Sequence, residues 1–190
     1  MKITPVDAPD VDLLKSDLVR SPGVHMSEIY SSLYAELEPK RYGSGEPPNP
    51  LLLAMGTAWE LHFERLLMAS APPGVSISRP AEFMNEDGIA FSPDLLISNG
   101  DLRVGEMKLT FQSSAEDISA PKFSKWIVQM QAYCHGMETP HARLYVLFVN
   151  GDYKTQRWPQ LKIWDFTFTA RELHDNYQML LNHAKRRGLL

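Results

Sequence analysis

Charged residues on two neighbouring apolar segments constrain this chain more than any other feature. Residues 89–97 and 102–110 read as two β-strands joined by a polar turn at 99–101, and together they carry an aspartate and a Glu-x-Lys pair. Burying an unpaired charge is costly, so packing gives no reason for these residues. A hard metal ion gives one, because Mg²⁺ is held by carboxylate oxygens.

The alternation of side chains along the strands decides whether the acids can meet. Glu106 and Lys108 share a face because they are two residues apart. A two-residue Asn-Gly turn would send the carboxylates of Asp94 and Glu106 to opposite faces. A three-residue loop at 99–101, or a bulge near Pro93, would pair them. We predict one of these two corrections, since a regular two-residue hairpin would exclude a shared metal site.

The order Pro93-Asp94, then Glu106-Met107-Lys108 on the next strand, resembles the motif of the PD-(D/E)XK nuclease superfamily. Pro-Asp alone is usually a turn, and Glu-x-Lys alone is usually a solvated strand face. The other elements of the family therefore decide between these interpretations. The resemblance implies an α/β fold: one domain with a central mixed β-sheet flanked by helices, the restriction-endonuclease-like core.

A helical pattern from about Pro50 to Ala69 carries the upstream element. Residues 56–60, Gly-Thr-Ala-Trp-Glu, are similar to the Gly-x-x-x-Glu helix of viral-type exonucleases in this superfamily. Many relatives have a histidine at or near the glutamate, but His62 lies on another face of this helix. The resemblance therefore favours Glu60 as a metal ligand. The alternative is a solvated helix face that Glu60 shares with Glu64.

A second helix, over residues 126–133, carries the downstream element. Gln129 and Tyr133 are four residues apart and share a face. They match the Gln-x-x-x-Tyr element of RecB-like nucleases, and lambda-type exonucleases also have glutamines here. An ordinary amphipathic helix is the alternative, and both interpretations can hold. Gln131 is ambiguous, and Gln129 is favoured to face the site.

The resemblance covers roughly residues 27–149 and implies a Mg²⁺-dependent deoxyribonuclease. Asp94 and Glu106 would bind one or two Mg²⁺ or Mn²⁺ ions, with a backbone carbonyl near Met107 as a further ligand. Glu60 would complete the shell. The opening helix of this region has Ser27 as its predicted N-cap.

The resemblance also implies the roles of three catalytic side chains. Lys108 would hold or help deprotonate the attacking water and would stabilise negative charge in the transition state. Gln129 would hydrogen-bond the water or the scissile phosphate, and Tyr133 would contact the phosphate backbone. Asp94 and Glu106 belong to the catalytic set through the metal.

These elements favour an exonuclease that acts on single- or double-stranded DNA ends in recombination, repair or phage DNA processing. A structure-selective or sequence-specific endonuclease of the same fold is the alternative. A third hypothesis is a non-catalytic DNA-end-binding or assembly factor. A recombinase, a helicase or a single-strand-binding protein is a candidate partner, and so is a further copy of the chain.

Composition limits the class of protein. A length of 190 residues suits one domain, and 44% apolar with 22% charged residues is ordinary for a globular protein. Cys134 is the single cysteine, which excludes an internal disulfide and a cysteine-held iron–sulfur cluster. A net charge of −4 argues against broad non-specific DNA binding. A local basic groove near Lys122 and Lys125 remains compatible with it.

The organisation along the chain predicts an irregular segment at 1–24 and a nuclease domain at 25–190. Strands are predicted near 75–84, 89–97, 102–110, 142–149 and 160–168, and a last helix near 170–187. A right-handed crossover would place strand 142–149 parallel to the Glu106 strand. No apolar run reaches the ~20 residues of a membrane span. The early acids Asp7, Asp10 and Asp12 oppose a signal peptide, so we expect a cytoplasmic protein of a bacterium or a phage-infected cell.

Overall fold

The computed structural model describes residues 22–43 and 49–190. The elements in chain order are β1 (Val24–His25), α1 (Met26–Leu37), α2 (Pro39–Tyr42), α3 (Pro50–Ala69), β2 (Ser76–Ser78), β3 (Phe83–Met84), β4 (Ile89–Phe91), β5 (Leu95–Ser98), β6 (Leu102–Thr110), α4 (Ser124–Gly136), β7 (His141–Phe148), β8 (Gln160–Thr167) and α5 (Ala170–Arg186). The predicted single α/β domain with a mixed sheet between helices is confirmed. Within the described ranges, no helix combines the length and apolarity needed to cross a bilayer.

The predicted irregular segment, residues 1–24, lies outside the described residues except for its last three. Of these, Val24 already belongs to β1, which pairs in parallel with β4. The domain boundary at residue 25 stays a prediction. Ser27 is not the N-cap of α1: the helix begins at Met26, and His25, with φ −94° and ψ 140°, takes that position.

The main sheet has five strands in the order β2-β5-β6-β7-β8. β6 and β7 are parallel, whereas the other neighbours in this sheet are antiparallel. α4 makes the crossover between the two parallel strands, and Glu106 pairs with Leu144 in the register. The predicted parallel partner of the Glu106 strand is therefore confirmed.

A three-residue loop joins β5 to β6. Ser98 pairs with Leu102, and Leu95 pairs with Gly105, so residues 99–101 form the loop. Gly100 has φ +105°, a conformation that residues with side chains rarely adopt. One step beyond the last pair, this register places Asp94 opposite Glu106. The three-residue correction is the one that the chain uses.

Two predicted strands are each divided by a proline. The strand predicted at 75–84 becomes β2 and β3, which are separated at Pro80, and the one at 89–97 becomes β4 and β5, separated at Pro93. Proline has no N–H for a ladder and restricts the residue before it. β3 and β4 form a second, three-stranded sheet with β1, in the order β1-β4-β3.

The two faces of the main sheet are covered unequally. α1, α4 and α5 pack on one face over a large core that includes Val104, Leu144 and Phe148. On the other face α3 packs through Phe63, the only buried residue among its twenty. The exposed large apolar side chains of α3 are Leu51, Leu52, Leu53, Met55, Leu61, Leu66 and Met68.

Candidate active site

The centre of the candidate site is a buried carboxylate on β6. Glu106 is 1% exposed and faces α1 and α4. Its Oε1 forms an ion pair with Lys108 Nζ and accepts a hydrogen bond of 2.6 Å from Gln129 Nε2. Its Oε2 is buried and has no hydrogen-bond partner among the described residues. One oxygen is thus fixed by two donors, and the other is left available.

Asp94 lies beside this carboxylate, at the break between β4 and β5. Its Oδ2 accepts a hydrogen bond of 2.7 Å from the backbone N–H of Met107, the residue after Glu106. Pro93 ends the β4 ladder and leaves Asp94 outside regular pairing, so its carboxylate can turn toward the β6 backbone. The predicted meeting of Asp94 and Glu106 therefore occurs. The side chain of Met107 packs on the α3 face, and its predicted carbonyl ligation stays a prediction.

Glu60 brings a third acid from α3. Burial raises the pKa of its carboxyl to about 7, and the nearby charge of Asp94 adds to this rise, whereas Lys108 and Arg79 oppose it. Glu60 is therefore within electrostatic reach of the hairpin. His62 is exposed on another face of the helix and takes no part. We call Glu60, Asp94 and Glu106 the acidic cluster.

The acidic cluster carries more negative charge than Lys108 balances. Burial raises the pKa of the Glu106 carboxyl, and the charge of Asp94 raises it further. Burial alone would lower the pKa of Lys108, but Glu106 and Asp94 raise it well above its usual range. Lys108 thus stays an ammonium group, and the remaining acids gain from a proton or from a cation.

Gln129 and Tyr133 sit beside the acidic cluster, as the Gln-x-x-x-Tyr element predicts. The observed partner of Gln129 is Glu106, whereas its predicted contact with water or phosphate stays a prediction. Burial raises the pKa of Tyr133, and so do Tyr30 and the acids, while a hydrogen bond with Gln129 opposes the rise. Gln131 is half-buried.

Sequence reasoning missed Tyr30 as part of the site. It lies on α1, and burial raises the pKa of its hydroxyl to about 12, whereas Lys108 and a hydrogen bond with Tyr133 lower it. Tyr30 lies on the buried face of α1, where a tyrosine hydroxyl still needs a partner. A tyrosine hydroxyl among the apolar residues of this helix was therefore the one sequence signal that could have pointed to Tyr30 as part of the site.

A cleft of about 430 Å³ opens next to Lys108 and Gln129. Its other lining residues come from α1, α2 and α4: Ser27, Glu28, Tyr30, Ser31, Tyr42, Lys125 and Trp126. Lys125 Nζ lies 4.8 Å from the ring centroid of Tyr42 and 5.6 Å from that of Tyr30. Burial lowers the pKa of Lys125, and the charges of Lys108 and Arg41 lower it further. The cleft combines cations, hydroxyls and aromatic faces.

The donor set fits a hard divalent cation. Carboxylate oxygens are the ligands of Mg²⁺ and Mn²⁺, and the unpartnered Oε2 of Glu106 supplies one such oxygen next to Asp94. Among the described residues, no group of three His, Cys, Asp or Glu side chains already has the spacing of a metal site. Asp94 and Glu106 come from the β5–β6 hairpin and Glu60 from α3, so two separate parts of the fold supply the candidate ligands.

Comparisons with known proteins place the fold. No protein family and no curated protein matches the sequence, whereas seventeen solved chains match the structure. The crystal structure of SSO0001 matches at a TM-score of 0.54 and 12% identity, over 92% of this chain and 81% of that chain. LHK-Exo in complex with dAMP matches at 0.51 and 16%, over 87% and 89%. A further structure of LHK-Exo, an alkaline exonuclease from Laribacter hongkongensis, gives 0.48 and 16%, over 87% and 89%.

Proposed function

We propose that this chain, which has the PD-(D/E)XK nuclease fold, hydrolyses phosphodiester bonds at DNA ends with the help of a divalent cation. The observation that carries the proposal is the convergence of Asp94, Glu106 and Lys108 on one edge of β6, with Glu106 Oε2 unpartnered. A fold alone does not specify an activity, so the chemistry of these residues is the support.

The acidic cluster is the proposed cation site. Asp94, Glu106 and Glu60 would hold Mg²⁺ or Mn²⁺, one ion or two, together with the backbone carbonyl of Met107. A bound ion would activate water and would neutralise charge on the leaving oxygen. The excess of buried acid over base supports this assignment, because a cation would offset the burial cost and the repulsion that together raise the pKa values of Glu60 and Glu106.

Lys108 is proposed to stabilise charge in the transition state. Its ammonium group pairs with Glu106 beside the cleft, where it can donate a hydrogen bond to the water or the phosphate. Gln129 holds Glu106 in place through the 2.6 Å bond to Oε1. Tyr133, one turn after Gln129 on α4, forms a hydrogen bond with the Gln129 side chain. We also propose that Tyr133 contacts the phosphate backbone.

The cleft next to Lys108 is the proposed path of the DNA strand. Lys125 and the hydroxyls of Ser27 and Ser31 suit phosphate oxygens, while the rings of Tyr42 and Trp126 suit base stacking. LHK-Exo is described as an exonuclease and binds dAMP in its crystal structure. We propose that the protein acts as an end-directed nuclease in recombination, repair or phage DNA processing.

The test is degradation of end-labelled linear DNA, single- and double-stranded, with Mg²⁺, Mn²⁺ or EDTA. We expect cation-dependent loss of full-length DNA, and no cleavage of a covalently closed circle of the same sequence. Cleavage of the circle would favour the endonuclease alternative. Intact linear DNA under every cation condition would leave a non-catalytic DNA-end-binding factor.

A further inference from the structure

The helix that carries Glu60 is joined to the sheet mainly by a few apolar contacts. Phe63 of α3 meets the edge of the Tyr145 ring on β7 with centroids 5.4 Å apart, and Trp59, one turn earlier on α3, stacks on Phe63 at 4.5 Å. Apolar contacts are non-directional. They keep α3 on the sheet, but they do not by themselves fix its rotation or its position along its axis.

One ion pair can fix the rotation of α3 and its position along its axis, because its hydrogen bonds are directional. Arg79, directly after β2, donates from Nε to Glu64 Oε2 at 2.8 Å, and its Nη2 lies 2.7 Å from the same oxygen. The Glu64 side chain is only 12% exposed. Within residues 22–43 and 49–190, this is the one side-chain hydrogen bond that joins α3 to another element. Glu64 follows Glu60 by one helical turn, so both point to the same flank of α3.

The backbone at Arg79 is stiff. Pro80 follows it and restricts it to extended conformations, and β2 holds the residues before it against β5. Arg79 therefore projects from a segment that the main sheet fixes. Its charge also acts on Glu60, where it opposes the repulsion from Asp94.

We infer that the Arg79–Glu64 ion pair is a positioning device, which sets the rotation and axial position of α3 and so holds Glu60 beside Asp94 and Lys108. Arg79 and Glu64 act through Glu60 and touch neither substrate nor cation. The inference rests on the proposed function for its consequence, cation binding, but its geometric content does not depend on catalysis.

A geometric experiment tests the inference without any cation. Spin labels on His62→Cys in α3 and on Leu161→Cys in β8 are both at exposed positions, and the native Cys134 is buried. Pulsed electron paramagnetic resonance measures the distance between the labels. We expect a narrow distribution that Arg79→Ala broadens and that the charge swap Arg79→Glu with Glu64→Arg narrows again.

The matched control is Arg143→Ala. Arg143 makes a similar pair with Asp165, with bonds of 2.6 and 2.8 Å, but this pair joins β7 to β8. It should leave the distance distribution unchanged. Equal broadening by both arginine variants, or none with Arg79→Ala, would overturn the inference.

Calorimetric titration with Mn²⁺ tests the consequence. We expect Arg79→Ala to weaken Mn²⁺ binding about tenfold, the lower end of what loss of a ligand's supporting partner does. The charge swap should restore most of the affinity, and Arg143→Ala should keep it. A wild-type chain that binds no Mn²⁺ would refute the proposed cation site, whereas the label distances would still decide on the positioning role.

Discussion

The two faces of the main sheet supply the candidate site in opposite ways. On the α1/α4 face, Glu106 is held by Lys108 and Gln129 through bonds that a large core surrounds. On the α3 face, Glu60 stands on a helix with a single buried residue. The first half of the site is fixed by the core of the domain, whereas the second half depends on the orientation of α3, for which the Arg79–Glu64 ion pair is our proposed support. The two halves should therefore respond to different substitutions.

The largest expected effect is the loss of DNA cleavage when Lys108, on the α1/α4 face, is removed. Lys108→Ala should lower the single-turnover rate of DNA cleavage by about 10²–10³-fold, the range for loss of a donor to a developing negative charge. Mn²⁺ binding, measured by calorimetry, should be largely kept. Lys122→Ala is the control, because Lys122 pairs with Glu116 on the surface. Equal rates in wild type and the Lys108 variant would contradict the role.

Loss of the Gln129 side chain should destabilise the fold more than loss of the neighbouring Gln131. Gln129→Ala removes a donor from a buried carboxylate and should lower the free energy of unfolding by about 1–3 kcal/mol. Gln131→Ala should change it by less than about 0.5 kcal/mol. Urea denaturation in EDTA measures both. If both variants lose the same stability, the bond from Gln129 does not hold the Glu106 carboxylate as described.

The acids Glu60 and Glu106 should make the stability of the fold depend on pH. The folded pKa values of Glu60 and Glu106 lie above those of the unfolded chain, so the folded protein binds more protons between the two sets of values. Without divalent cation, Tm should therefore fall from about pH 6 to about pH 8.5. Glu60→Gln should make this slope shallower. A Tm that rises across this range would contradict the sign.

The smallest effect is expected at the cleft. Lys125→Ala should weaken DNA binding without changing the cleavage rate of bound DNA, and should lower the slope of log affinity against log salt by about 1. Fluorescence anisotropy in EDTA at several salt concentrations measures this slope. Lys154→Ala, on an exposed loop, is the control. An unchanged slope in the Lys125 variant would remove the cleft from the proposed DNA path.

The sequence was most informative where spacing alone fixes geometry. Alternation along β6 predicted that a three-residue loop at 99–101 or a bulge near Pro93 would bring Asp94 and Glu106 together, and the structure has the loop. The crossover rule predicted the strand beside them. The prolines at 80 and 93 were visible, but the apolar pattern continues on both sides of each proline. Two divided strands were therefore predicted as continuous. A stretch of apolar residues does not record which sheet each half joins.

Contacts between distant elements could not be read from spacing. The partnership of Gln129 with Glu106 depends on how α4 crosses β6, and the pair Arg79–Glu64 depends on how α3 lies against β2. Tyr30 likewise meets Tyr133 only because α1 packs against α4. In each case the missing information is the relative position of two elements, which local sequence leaves open.

The proline break before Asp94 has a consequence for the order in which the molecule is made. β4 belongs to the small sheet and β5 to the large one, and Asp94 is the link between them. An intermediate in which only the large sheet has formed would already hold Asp94 beside Glu106 and Lys108, because Asp94 directly precedes β5 and accepts a hydrogen bond from Met107 of β6. The small sheet would then dock onto a pair of strands whose two carboxylates are already in place.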